Sequence, residues 1–394
     1  KKSNDTIVAK KILKSLNHRG PDDNNFVINN NFGLLFSRLS IMDLSTNGMQ
    51  PLSDNEGSIF SVFNGEIYNY IELRKEIILA GFELRSTCDA EIIPFLYKMY
   101  GINFVKKLKG MFAIALYDEK NHNMFIMRDR FGIKPLFYSV TNDRVYFSSE
   151  INSLKLISEI DLNPSIQSIS DFTMLSYIPA PNTFYKGIFS LEPAEIIYLQ
   201  LSENGISKNH DFHYKININP DLDLSYAESI EQTSSLIDKA VKNQLRSDVP
   251  LGALLSGGID SSLVSESSNR YLNGDLNTFS VGFSDNAYDE SHEAKLIAQS
   301  IGTNHNQILT KSQHFSFNEV KELLLHCGQP YGDSSIFAVN MISKLMKEQI
   351  KVALSGDGGD ESFGGYEFYR KLKILGLIKD IPSIHYLYKK LKKY

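Results

Sequence analysis

The segment Leu254-Leu255-Ser256-Gly257-Gly258-Ile259-Asp260-Ser261-Ser262 carries the densest chemistry in the chain. A short apolar run ends, two glycines allow a tight turn, and a helical pattern begins. Backbone N–H groups at such a helix start point outward with partial positive charge, which suits phosphate. Glycines there let the backbone approach an anion with no Cβ in the way. A Walker A loop would place a lysine here, and its absence excludes that form of γ-phosphate cradle. The competing reading is a surface Gly-Gly turn capped by Ser and Asp. A second segment, Ser355-Gly356-Asp357-Gly358-Gly359-Asp360-Glu361, runs on to Gly364-Gly365-Tyr366. Its carboxylates would repel one another in a buried site unless a cation joined them. The competing reading of this segment is an ordinary acidic, solvated turn.

Both loops need strands to present them. From Tyr226 the pattern alternates: an amphipathic helix at Tyr226–Leu245, a strand at Leu251–Leu255, and a helix from Asp260 onward. A strand at Thr278–Phe283, a helix at Ser291–Ile301 and a strand at Lys351–Leu354 follow. This order predicts a parallel sheet covered by helices, whose loops meet at the carboxyl edge where ligands bind. The first half instead holds short β-type runs at Phe32–Leu39, Ile59–Phe63, Met111–Tyr117, Met124–Met127 and Val145–Phe147. Helical spacing recurs at Ile71–Ala80 and Ala90–Tyr100, so a layered α+β domain is expected. The polar stretch Ser202–Leu224 reads as the boundary, giving domains at residues 1–204 and 225–394.

Composition sets outer limits. A chain of 394 residues, 42% hydrophobic and 22% charged, fits two globular domains. The net charge of −5 offers no electrostatic case for nucleic acid or an acidic membrane as main partner. The basic cluster Lys389–Lys393 reads as the exposed face of a helix. Two cysteines, Cys88 and Cys327, are too few for a disulfide framework or a zinc site, so a reducing cytoplasm is the expected setting. Each reads as a packing residue. The longest apolar run, Met111–Tyr117, falls far short of the ~20 residues that a membrane span needs.

The first loop resembles the SGGxDS pyrophosphate loop of enzymes that cleave ATP between the α and β phosphates. With Val281 and Ser355–Tyr366, it is similar to the synthetase domain of glutamine-hydrolysing asparagine synthetase. The first half resembles that family's glutaminase domain through Arg19-Gly20-Pro21-Asp22, Arg38-Leu39-Ser40-Ile41, Asn64-Gly65-Glu66-Ile67-Tyr68-Asn69, and Asp89 with Glu91. Gly110-Met111-Phe112-Ala113 and Arg128-Asp129-Arg130-Phe131-Gly132 complete the order. The resemblance implies an N-terminal-nucleophile hydrolase domain, an αββα sandwich. An incomplete α/β domain of the ATP pyrophosphatase, adenine nucleotide α-hydrolase-like type follows it.

The roles implied are these. Asn64 and the Gly65 N–H form an oxyanion hole. Arg38 pairs with the glutamine carboxylate, with Leu39, Ser40 and Ile41 beside it. Asp89, with Glu66, holds the glutamine ammonium. Leu254, Leu255 and Val281 flank adenine; Ser256, Gly257, Gly258, Ser261 and Ser262 grip pyrophosphate; and Ser355 and Gly356 contact ribose or phosphate. Asp260 and Asp360 take Mg²⁺, and Asp357 positions an acyl-adenylate. Ammonia from glutamine then attacks that acyl group. Asn64-Gly65 by itself also reads as a hairpin turn.

The match runs out at three places. The family begins Met-Cys-Gly, whereas this sequence opens Lys1-Lys2-Ser3, so a short upstream segment bearing the nucleophile is expected. Neither internal cysteine has the free α-amine that this chemistry uses. Family members continue past Tyr394 to a lysine that steadies pyrophosphate, so the chain alone is expected to lack both half-reactions. The acceptor region Tyr331-Gly332-Asp333-Ser334-Ser335 is followed by Phe337-Ala338 where some members carry an arginine. Aspartate is the first choice of acceptor and a sugar or other carboxylate the second. A non-catalytic homologue that binds nucleotide or glutamine is the third reading. Oligomeric state stays open, a homodimer being one option.

Overall fold

The computed structural model describes residues 2–141, 143–202, 205–220, 223–283, 289–310 and 315–378. The chain divides into two compact units, described separately here. The first comprises Lys1–Ser229, Arg246–Val249 and His314–Val339; the second comprises Ile230–Leu245, Pro250–Gln313 and Asn340–Tyr394.

At the centre of the first unit lies an antiparallel six-stranded sheet. Its order is Gly205–Phe212, Glu195–Ser202, Asn123–Arg128, Gly110–Asp118, Ile59–Ile67 and Leu52–Ser53. The run Met111–Tyr117 is apolar throughout because this strand is covered on both faces. Phe112, Ile114 and Leu116 join Phe63 and Ile67 against the helices Tyr70–Leu79 and Ile92–Tyr100. Ala113, Ala115 and Tyr117 turn the other way, toward Leu34, Tyr138 and Leu191. Those residues belong to a second β layer, formed by the hairpin Asp23–Ile28 with Gly33–Arg38 and by a three-stranded sheet around Phe137–Val140. Helical residues Val8, Ile12, Ile151 and Leu154 pack outside that layer. The period-two alternation of side chains thus yields helix, sheet, sheet and helix in succession.

The polar stretch after Ser202 is not all linker. Gly205–Phe212 is an edge strand paired with Glu195–Ser202, polar because it lies mostly exposed at the sheet margin. Lys389–Lys393 lie outside the described residues.

The second unit holds a parallel sheet in the order Asn304–Thr310, Asn277–Phe283, Leu251–Leu254 and Val352–Leu354. The helices Tyr226–Gln244 and Ile259–Tyr271 cover one face through Val241, Ala253, Leu276 and Leu354. Helix Ser335–Met346 contributes Ile342 to the other, against Phe279 and Ile350. Among the described residues no helix is long and apolar enough to cross a membrane.

Candidate functional site

In the second unit, Leu251–Leu254 pairs directly and in parallel with Val352–Leu354. Both glycine-bearing loops therefore leave the same edge of the sheet, side by side. They touch. A Cβ on Gly356 would stand 2.7 Å from the Ser261 nitrogen, and one on Gly359 would stand 2.4 Å from Asp260 Cγ. The Asp260 carboxylate thus lies against the second loop, next in sequence to Asp360.

The first loop is braced from within. Gly257 has φ +93°, and Ser256 Oγ lies 3.1 Å from Ser261 Oγ. Ser262 Oγ donates to the Gly258 carbonyl at 2.6 Å. Gly258 caps helix Ile259–Tyr271 without a side chain, so helix-start N–H groups stay available to an anion. In the second loop, Ser355 Oγ donates to Asp357 at 2.9 Å, and Tyr366 donates to Glu361 at 2.7 Å. Leu254 and Val281 share one apolar cluster. Leu255 instead turns to the opposite face, 1% exposed, against Ala294 and Ala298. Adjacent residues of an extended strand point to opposite sides, so these three residues do not line a common surface.

The first unit gathers the other expected residues. Asn64 and Gly65 lie inside the strand Ile59–Ile67, paired with Ala113 and Phe112, and form no hairpin turn. A Cβ on Gly65 would sit 2.0 Å from the Met111 carbonyl oxygen, so only glycine fits. Asn64 Nδ2 donates to Ser149 Oγ at 3.2 Å. Asp89 is buried and accepts from the Ile67 N–H at 2.9 Å. Glu66 precedes Ile67 on the same strand. Burial, then the charge of Asp89, pushes the Glu66 carboxyl well above the usual range, while Lys134 opposes the rise. Burial raises Asp89 as well, against the pull of its hydrogen bonds. Two carboxyls that resist ionising together favour a bound cation between them.

Arg38 is buried, its guanidinium donating to the Ser45 carbonyl at 2.8 Å and to the Asp43 carbonyl. These contacts use part of its five-donor fork. Leu39 is exposed; Ser40 donates its N–H to Asp22 at 2.8 Å; the Ile41 carbonyl accepts from Asp248 at 3.1 Å. Cys88 is buried, and burial together with the charge of Asp89 pushes its thiol far up, so it stays a protonated packing group. The partly buried Cys327 thiol is also raised by burial.

Sequence reasoning missed Lys134, whose burial lowers its pKa while Glu66 holds it up. No local pattern marks it. Asp129 is fully buried and accepts from the backbone N–H groups of Phe112, Phe131, Ile133 and Lys134 at 3.0–3.2 Å. It shapes that loop and so delivers Lys134. The segment 331–335 lies in the first unit: Gly332 packs against the Ser176 carbonyl, and Tyr331 lines an apolar hollow of about 570 Å³ with Phe172, Phe184 and Leu324.

Known proteins carry the same order. Residues 1–213 match the family described as "Glutamine amidotransferase domain", and residues 232–393 match "Asparagine synthase". A Bacillus subtilis protein named asparagine synthetase [glutamine-hydrolyzing] 1 is 34% identical over 96% of this chain and 59% of its own length. A Methanocaldococcus jannaschii protein, putative asparagine synthetase [glutamine-hydrolyzing] 2, is 34% identical over 95% of this chain and 75% of its own length. A Gibberella zeae protein named amidase chry2 is 31% identical over 91% of this chain and 55% of its own length. The chain thus spans between about half and three quarters of these relatives. Similarity running through both units places this chain in the glutamine-hydrolysing asparagine synthetase family.

Proposed function

We propose that the whole protein amidates a carboxylate, taking nitrogen from glutamine and energy from ATP. One observation carries this reading: two glycine-bearing loops leave adjacent parallel strands and meet at Asp260, Gly356 and Gly359. Ser256, Gly257, Gly258, Ser261 and Ser262 would hold pyrophosphate oxygens, and Ser355 and Gly356 the nucleoside side. Leu254 and Val281 remain as apolar neighbours for adenine. The two loops pack so closely that a Cβ at either contacting glycine would strike Asp260 or Ser261, which keeps both loops at one place on the sheet edge. The hard oxygen donors Asp260 and Asp360 fit Mg²⁺. Bound there, Mg²⁺ would neutralise charge building on the departing phosphates. Asp357 would orient the activated carboxyl, an acyl-AMP.

In the first unit, Glu66 and Asp89 would take the glutamine ammonium and Arg38 its carboxylate. Asn64 and the Gly65 N–H would stabilise the oxyanion. Cys88 and Cys327 are internal and lack the free α-amine that this chemistry uses, and burial raises both thiols as well. Aspartate is the acceptor we favour. Phe337-Ala338 after the acceptor segment and a relative named an amidase favour a second reading, another carboxylate.

The test uses the full-length gene product with glutamine, ATP, Mg²⁺ and aspartate. Asparagine and pyrophosphate are expected in equal amounts. Pyrophosphate without asparagine would exclude aspartate. An Asp260→Ala variant should lose ATP turnover by at least a hundredfold, on the order of 2.7 kcal/mol, and keep glutamine hydrolysis. Unchanged ATP turnover in that variant would remove the metal assignment.

A further inference from the structure

One cluster in the first unit uses none of the residues assigned to either site, although Ser149, next to Glu150, accepts from Asn64. His18 precedes Arg19, Glu150 follows the strand Val145–Ser148, and His326 ends the helix Phe317–His326. One donor atom from each lies within 4.8 Å of the other two. His18 Nε2 and Glu150 Oε1 are 2.8 Å apart. The His18 and His326 rings meet edge to face, with centroids 4.5 Å apart. The backbones that carry these groups are pinned. Ser148 Oγ accepts from the Glu150 N–H at 3.2 Å, and Asn152 Nδ2 donates to the Leu325 and His326 carbonyls at 3.0 and 3.2 Å.

Two imidazoles and one carboxylate, from three separate stretches of chain, are the donor set of zinc and its first-row neighbours. We propose that His18, Glu150 and His326 bind a divalent transition ion of the zinc class. The ion takes the place of the hydrogen that now joins His18 to Glu150. A tetrahedral ion with ligands at about 2.0–2.1 Å sets its donors about 3.3 Å apart. His18 and Glu150 need to spread only slightly, while the exposed His326 ring swings inward. Three ligands leave a fourth position open to water. Arg19 donates to the same Glu150 oxygen at 3.2 Å. It orients the carboxylate, and its charge opposes the ion, so affinity falls below that of a closed structural zinc site. Bound, the ion ties the end of helix Phe317–His326 to the start of the chain within the same unit.

The experiment uses the untagged full chain, stripped with chelator and titrated with zinc chloride against a chromophoric chelator. One equivalent per chain is expected. His18→Asn, Glu150→Gln and His326→Asn should each weaken binding at least tenfold. His292→Gln, exposed elsewhere in the chain, should leave it unchanged. Cobalt in place of zinc should give visible absorption that each of the three variants abolishes, with circular dichroism showing that each is folded. Absence of binding at one equivalent, or binding equally tight in all three variants, would overturn the site and leave an adventitious ion only.

Discussion

Glu66 sits where its own ionisation is opposed. Burial and Asp89 raise its pKa, so the folded chain keeps a proton that the unfolded chain releases at lower pH. Stability on this account is full below the ordinary carboxyl value and falls as pH rises toward the raised one. Glu66→Gln removes that loss. Its thermal midpoint should exceed that of the unchanged chain by about 2–4 °C at pH 8, and the two should converge near pH 4. A difference that is equal at both pH values would show that charge is not the cause. On the role proposed for Glu66, the same substitution would also weaken glutamine binding, a trade of stability against function. Residue types at this scale were legible in order but not in environment. Asn64, Glu66 and Asp89 stand out as a set, whereas the burial of Lys134 depends on the loop that Asp129 folds.

Neighbouring strands decide whether the two loops form one cradle. Gly356 and Gly359 approach Asp260 and Ser261 closely, and the nearest atom to Gly356 is backbone, which cannot swing aside. Gly356→Ala should therefore part the loops at a strain of about 1–3 kcal/mol and weaken ATP binding at least tenfold by calorimetry. Unaltered ATP affinity would mean that the loops do not act together. The strand–loop–helix alternation was readable here because each step changes the hydrophobic period. Leu255, one residue past the strand Leu251–Leu254, packs its side chain in a different apolar cluster from Leu254 and Val281, a grouping that sequence spacing did not reveal. The Gly205–Phe212 strand escaped notice because an exposed edge carries little apolar signal.

Across the whole molecule, chain order and spatial grouping part company. Residues His314–Val339 follow the Gly257 loop in sequence but group with the first unit. Asn152, Lys155 and Tyr185 hold the Leu325, His326 and Gly328 carbonyls, and Gln329 accepts from the Phe184 N–H. Under rising urea, amides of Phe317–His326 should lose hydrogen-exchange protection together with Gly110–Asp118, not with Leu251–Leu254. Protection lost in step with Leu251–Leu254 would assign the segment to the second unit instead.

Local pattern alone determined much of this protein. The two loops and the αβ alternation behind them follow from residue type, glycine placement and hydrophobic period, which act over a few positions. The order of glutaminase markers was legible through resemblance to a known family. Tertiary structure alone decided the pairing of Leu251–Leu254 with Val352–Leu354, the burial that raises Glu66 and Asp89, and the meeting of His18, Glu150 and His326. Those depend on contacts between distant stretches of chain, and no short window of sequence records which distant surface will cover it.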